Sequence, residues 1–547
     1  MSSQYKVQTT LLGLRRLRGS HTGENIAGAV VEIISKYELP GDRIGWFVLD
    51  NATSNDTCVA EILKAFGIND TVERRRLRCL GHIINLAAKA FLFGPDPNDF
   101  EKEVERAEEE SKKREAWRKR GPIGKLHNVV THIRSTPQRR EDFHQKAGGE
   151  LEKLKSRLAA TALPDEDVEL VQKDPLMVIQ DNKTRWNSVY AMIQRALLLK
   201  DPIDLFIKRA REKPASESPL PAADELSQGD WDVLARAEDI LKSFSDMTAR
   251  LQGRANHASY GSMWEALPTL DFLLNELEAK SKEYGIQLAE SITEPVIRAK
   301  GAAKRSARKK PSQPTTTGGI TAGHVPENEL AAISTGIDSC WAKLRKYYKL
   351  IDKSPVYAAA VVLNPQYKWD YFNTHWADHP EWIAQAQDSV EDLWRNMYAN
   401  QQEEAEDDLE DGGNSSLFLP TPQKGISRFD QWVSSGRRAA PGVTKGDDYS
   451  QYLGAEELHN LRSKETPPSS QIKSVDLCAF WARYEAYYPS LARMAFDVLS
   501  IPAMSAECER VFSSAKLLLT DRRARMKEEI IEASECLRAW YLAGLIE

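Results

Sequence analysis

Two acidic residues, far apart in the chain, stand where a carboxylate could do chemistry. Asp50 closes the apolar run Ile44-Gly-Trp-Phe-Val-Leu49, which reads as a buried central strand, and ligands of open sheets gather at the carboxyl ends of their strands. Glu509 falls in the first turn of a helix entered through Pro502, within Leu499-Ser-Ile-Pro-Ala-Met-Ser-Ala-Glu-Cys-Glu-Arg-Val-Phe-Ser-Ser514. In that helix Cys508, Val511, Ala515 and Leu518 recur at a spacing that predicts a buried stripe, with Glu509 about 100° away, on the rim of a core and able to face a cleft. Hard oxygen ligands in such positions suit a divalent cation. Each acid also has an ordinary structural use: a turn Asp caps the helix that follows it, and a first-turn Glu complements the helix dipole.

The elements that must position these acids are legible in part. Gln8–Leu14 reads as a strand, and Thr22 caps a helix with Ile26, Val30, Ile33, Ile34 and Tyr37 on one face. After the Pro40-Gly41 break and the strand ending at Leu49, a helix carries Val59, Ile62, Leu63 and Phe66. Arg76-Leu-Arg-Cys-Leu-Gly-His82 then leads into a helix through Ile83, Ile84, Leu86 and Ala87. Alternating strands and helices predict an α/β layer. From residue 97 to about 470 the pattern changes to long helices with polar interruptions, among them the stripes Leu234, Ala237, Leu241, Phe244 and Trp264, Leu267, Leu270, Leu274. Glu101–Arg120 is a mixed-charge run that reads as a solvated helix or a disordered excursion. Arg298–Lys310 holds seven cations and Glu403–Asp411 seven carboxylates; both read as disordered, the first as a localisation signal, a phosphate-binding arm or a plain linker.

Bulk properties exclude more than they assert. The 547 residues, 41% hydrophobic, suffice for two to four domains. A formal charge of −6 assigns any nucleic-acid contact to local basic patches. Six cysteines without a CxxC pair argue for reduced thiols rather than a disulfide framework. The sequence shows neither a secretory leader nor an apolar run long enough to span a bilayer, and nothing in it points to a small-molecule substrate.

Four parts of the chain, roughly residues 5–95, 181–195, 335–372 and 475–547, carry a resemblance. Phe480-Trp-Ala-Arg-Tyr-Glu-Ala-Tyr-Tyr-Pro-Ser-Leu-Ala492, Ile501-Pro-Ala-Met-Ser-Ala-Glu-Cys-Glu-Arg-Val-Phe-Ser513 and Asp521-Arg-Arg-Ala-Arg-Met526 resemble the C-terminal region of hAT-superfamily DNA transposases. Trp46-Phe-Val-Leu-Asp-Asn-Ala-Thr-Ser-Asn55, with Cys79-Leu-Gly-His82, is similar to the segment bearing that family's second catalytic Asp. Asp181-Asn-Lys-Thr-Arg-Trp-Asn-Ser188 resembles its Thr-Arg-Trp-Asn-Ser motif. The resemblance implies an α/β ribonuclease-H-like core interrupted by a large all-α insertion, in a chain helical overall. It makes Asp50 and Glu509 catalytic acids and ligands of Mg2+ or Mn2+, with Asn51, Cys79 and His82 as active-site support. Lys183, Arg185 and Trp186 become DNA contacts, the ring stacking on a base while the cations hold phosphate; the rival for Trp186 is a core position at a helix start. Phe480, Trp481, Tyr484, Tyr488 and Trp540 become dimerisation residues, with intramolecular packing as the alternative.

The expected division is a partial ribonuclease-H-like domain at 1–96, a helical insertion at 97–470 with disordered segments near 101–120, 298–327 and 402–425, and a dimerisation region at 471–547 that closes the fold. The core is expected to be incomplete, lacking its first strands: no Asp precedes Asp42, so the first catalytic acid is missing, and no BED-type zinc finger is present. The functional expectation is a nuclear, homodimeric or higher-order transposase-type protein that binds transposon-end DNA and is catalytically incomplete. A non-enzymatic dimerising regulator descended from a transposase is the alternative.

Overall fold

The computed structural model describes residues 9–160, 177–182, 186–211, 220–252, 263–286, 288, 327–399, 432, 447–454, 477–518 and 526–546. Most of these residues are helical. Strands β1 (Phe47–Leu49) and β2 (Arg76–Arg78) form the sheet found among them. The helices that carry functional residues are α1 (Gly23–Lys36), α2 (Ser54–Ala65), α3 (Leu80–Phe93), α4 (Gly121–Arg134), α5 (Pro137–Ala160), α6 (Trp186–Leu198), α7 (Ala506–Leu518) and α8 (Glu528–Leu542). No described helix is long and apolar enough to cross a membrane.

The chain divides into two compact units: Met1–Ile84, Asp246–Asn275 and Leu344–Glu547 form one, and Asn85–Ser245 with Glu276–Lys343 form the other. The described residues within 246–275 and 344–454, which the sequence grouped with the helical insertion, cluster with the unit that holds the sheet.

In the first unit, β1 and β2 pair in parallel, Phe47 with Arg76, Val48 with Leu77 and Leu49 with Arg78, and α2 makes the crossover. The Thr22 side chain caps α1 by accepting the Asn25 amide, satisfying one of the donors a helix start leaves open. Gly23 lets α1 lie directly on α2, because a Cβ there would stand 2.4 Å from the Ser54 carbonyl oxygen. Ala27, Cys58 and Ile62 form the core between these helices.

Three sequence expectations change here. Residues 9–14 form no strand: this stretch finds its partners in side chains, the Leu12 carbonyl accepting from Tyr37 Oη at 2.7 Å, the Leu11 carbonyl from Trp540 Nε1 at 2.8 Å, and the Leu14 amide donating to Glu532 Oε1 at 3.3 Å. β1 is half-buried along its length rather than fully enclosed. Residues 101–120 are ordered, in the helices Pro97–Arg106 and Glu110–Arg118. The few apolar groups of this run suffice to fix it: Phe100, Val104, Ala116 and Trp117 are buried, and Trp117 meets Phe100 edge-on at 4.9 Å. The expected disordered segments near 298–327 and 402–425 lie, apart from the start of the helix at Glu327, outside the described residues.

The second unit packs α4, α5, α6 and the first part of Gln228–Leu251 around Leu126, Val129, Val130, Ile133, Phe143 and Leu234. The expected stripe at Leu234, Ala237, Leu241 and Phe244 is buried.

Candidate functional site

Asp50 follows β1 directly, and its carboxylate serves the turn it sits in. Oδ1 accepts from the Ala52 amide at 3.0 Å and from Asn55 Nδ2 at 2.6 Å, satisfying donors near the start of α2. Arg76 reaches across from β2 and braces the same turn, Nη2 donating to the carbonyls of Asp50 and Ala52 at 2.9 Å each while Nη1 pairs with Asp56. Arg78, two residues on and so on the same face of the strand, donates from Nη1 to Asn51 Oδ1 at 3.3 Å and lies 4.0 Å from Asp56. Burial and the neighbouring Arg76 pull the Arg78 pKa down.

A short run of bonds ties this turn to the start of α7. The Cys79 amide donates to the Leu49 carbonyl at 2.8 Å, Cys79 Sγ accepts from the Ser505 amide at 3.3 Å, and the Leu80 amide donates to the Ala503 carbonyl at 3.0 Å. Gly81 makes room for this docking, since a Cβ there would meet Met504 Cε at 1.9 Å. α7 begins one residue after Ser505, and Glu509 lies four residues on, about 6 Å along the axis. The carboxyl end of β1, buried Cys79 and the amino end of α7 thus lie side by side within one unit. His82, half-buried on the first turn of α3, is close by in sequence. Glu507 is engaged by Arg510.

The predicted stripe on α7 is only partly present. Ala515 is buried, Val511 half-buried and Cys508 exposed, and the Leu518 side chain is outside the described set. α7 packs less of itself into the core than its apolar spacing implies, and both Cys508 and Glu509 face solvent.

The donors present do not fit a two-ion centre. Asp50 spends one oxygen on the α2 turn, Arg76 and Arg78 balance the charges of Asp50 and Asp56, and no three His, Cys, Asp or Glu side chains gather into a metal-holding group among the described residues. The sequence reading missed both arginines. The alternation Arg76-Leu-Arg78 in a strand, which places two cations on one face, was the available signal.

The other predicted positions fall elsewhere. Trp186 opens α6 but is buried, edge-on to Phe244 at 6.4 Å, and offers no face to a base. The residues before it fold back: Asp181 is held by His127 Nδ1 at 2.7 Å and Ser188 Oγ bonds both backbone groups of Asn182. The Trp186 ring thus takes the core position that was its alternative reading, while Lys183 and Arg185 lie outside the described residues. Trp481 is fully buried and donates Nε1 to the Leu363 carbonyl at 2.9 Å. Phe480 lies tilted against Tyr484 at 4.7 Å, and Tyr488 meets Tyr452 edge-on, so these rings make contacts inside their own unit. Trp540 is turned toward Leu11.

The face of α8 next to Trp540 carries exposed apolar side chains. Ile530, Leu537 and Tyr541 recur at intervals that bring them to one side of the helix, and they are 53%, 51% and 64% exposed. Phe512 and Leu517 of α7 are exposed as well, and Ser514 Oγ joins the two helices by donating to Glu535 Oε1 at 2.9 Å.

Comparison with known families places these helices. Residues 448–541 match the profile described as the hAT family C-terminal dimerisation region. The chain carries a hAT dimerisation region. Residues 1–75 match the ZBED1 RNase-like domain and 77–239 the ZBED1 RNase-like helical domain. Among curated proteins the chain is 24% identical over 538 residues to "Putative transcriptional regulator tpeD" of Talaromyces stipitatus, covering 95% of this chain and 48% of that protein. It is 21% identical over 562 residues to "Zinc finger BED domain-containing protein RICESLEEPER 2" of rice, covering 99% and 61%, and 20% identical over 566 residues to "Putative AC transposase" of maize, covering 98% and 53%. The chain thus spans about half the length of the curated relatives it matches. Its homologues are hAT transposases and transposase-derived BED zinc finger proteins.

Proposed function

We propose that this chain is a dimerising, DNA-associated nuclear protein built on a hAT transposase scaffold, with the open face of α8 and the neighbouring Phe512 and Leu517 as its self-association surface. The observation that carries this reading is the exposed apolar face, Ile530, Leu537 and Tyr541, at the end of a region matched to a dimerisation family. A monomer rarely leaves aligned large apolar groups in water, and such a patch is the usual mark of an interface. The reading thereby shifts the interface from Trp481 and Trp540, which are spent on Leu363 and Leu11.

The junction of Asp50, Cys79 and the α7 start is read as the inherited nuclease site, with Arg76 and Arg78 bracing its turn and, among the described residues, no third acid beside Asp50 and Glu509 to complete it for cutting. Light scattering on a complex with generic duplex DNA tests the whole reading. Two chains per duplex are expected, with no divalent-dependent nicking in Mg2+ or Mn2+. One chain per duplex, or nicking that Asp50→Ala and Glu509→Ala abolish, would overturn it.

A further inference from the structure

Residues 118–140, Arg-Lys-Arg-Gly-Pro-Ile-Gly-Lys-Leu-His-Asn-Val-Val-Thr-His-Ile-Arg-Ser-Thr-Pro-Gln-Arg-Arg, contain seven Lys and Arg and no Asp or Glu, in a chain of net charge −6. The fold engages the first four. Arg118 pairs with Asp224 at 2.8 Å, Lys119 with Glu103 at 2.8 Å and Lys125 with Asp230 at 2.9 Å. Arg120 lies 4.4 Å over the Phe100 ring and donates to the Phe93 carbonyl.

The last three, at the elbow where α4 turns into α5, have no carboxylate partner among the described residues. Arg134 donates one Nη1 to the Val178 carbonyl at 2.8 Å, Arg139 one to Ser135 Oγ at 2.7 Å, and Arg140 one to the Arg134 carbonyl at 3.5 Å. A guanidinium has five donors, so each is anchored by one contact and keeps the rest of its fork for another group. Of the acids that follow, Asp142 is taken by Lys146 at 2.7 Å, which leaves Glu141 against three cations.

The placement also runs against helix electrostatics. Arg139 and Arg140 occupy the first turn of α5, which holds no acid, so two positive side chains meet the positive end of a 24-residue helix. That arrangement costs stability in isolation and is relieved by an anion. His132 reports the same field: burial first, then Arg139, Arg114 and Lys146, lower its pKa to about 4.

Resting on the DNA-associated reading above, we propose that the α4–α5 elbow binds the phosphate backbone of duplex DNA through Arg134, Arg139 and Arg140. Guanidinium forks match phosphate oxygens in pairs, and the contact is independent of base sequence.

The test is fluorescence anisotropy of the full chain on generic duplex DNA across a salt series. It compares wild type, Arg134→Gln/Arg139→Gln/Arg140→Gln, and a control, Lys64→Gln/Lys102→Gln/Lys112→Gln, which removes the same charge from exposed i,i+3 pairs. Each lost phosphate contact lowers the slope of log K against log salt by about 0.9, so the elbow variant is expected to lose up to about three times that while the control keeps the wild-type slope. Arg139→Gln/Arg140→Gln, which spares the Val178 anchor, is expected to lose about two contacts and decides the matter if the triple variant is misfolded. Elbow variants that bind with the wild-type slope, or a control that falls equally, would overturn the elbow and leave DNA association standing. A wild-type chain that does not bind duplex DNA at all would overturn both.

Discussion

Asp50 shows how one side chain serves a turn whatever else it does. Replacing it with Ala removes the acceptor for Ala52 and Asn55 and should cost about 1 kcal/mol in urea unfolding, the usual net value of a lost hydrogen bond. Asp50→Asn keeps an acceptor oxygen and should cost less; equal losses would show that these hydrogen bonds contribute nothing. Asp271 gives a prediction in pH. Its carboxylate is enclosed, accepting from Tyr371 Oη at 2.6 Å and Trp376 Nε1 at 3.3 Å, and burial pushes its pKa up to about 6 despite those donors. A raised folded pKa means the fold favours the protonated form, so this stabilisation is complete below about pH 4 and is lost as pH rises through 6. Wild type should therefore lose on the order of 3 kcal/mol between pH 4 and 7 relative to Asp271→Asn, which has no proton to release. Parallel pH–stability curves for the two proteins would contradict this.

At the scale of elements, the periodic segments were legible and those fixed by tertiary contacts were not. α1 and α2 follow from their apolar spacing and from Thr22, and β1 from its apolar run. Gln8–Leu14 has the composition of a strand, but its backbone is claimed by Tyr37, Trp540 and Glu532 from helices distant in sequence, which no local pattern encodes. The charged run at 101–120 folds because Phe100 and Trp117 supply enough burial, a contribution that counting charges conceals. In the candidate site, the apolar run before Asp50 and the Pro502 entry to α7 were readable. The arginine bracing of Asp50 and the burial of Trp186 depend on partners that only the fold brings near. The α1–α2 contact yields its own test: Gly23→Ala puts a methyl 2.4 Å from the Ser54 carbonyl, a backbone group that cannot swing aside. It should destabilise by about 1–3 kcal/mol in chemical denaturation, whereas Gly28→Ala, with nothing within 4 Å, should be neutral or stabilising.

For the whole molecule, one unit holds the sheet, the acids and the C-terminal helices, and the other holds the arginine elbow. The proposed dimer rests on Ile530, Leu537 and Tyr541, large apolar side chains exposed along one side of α8. Adding two carboxylates to that face should break the dimer without touching the core. Sedimentation equilibrium of wild type and Leu537→Asp/Tyr541→Asp at micromolar concentration, with circular dichroism to confirm equal helicity, measures this most directly. The account predicts a dimeric wild type and a folded monomeric variant; a monomeric wild type, or a variant that stays dimeric, would contradict it.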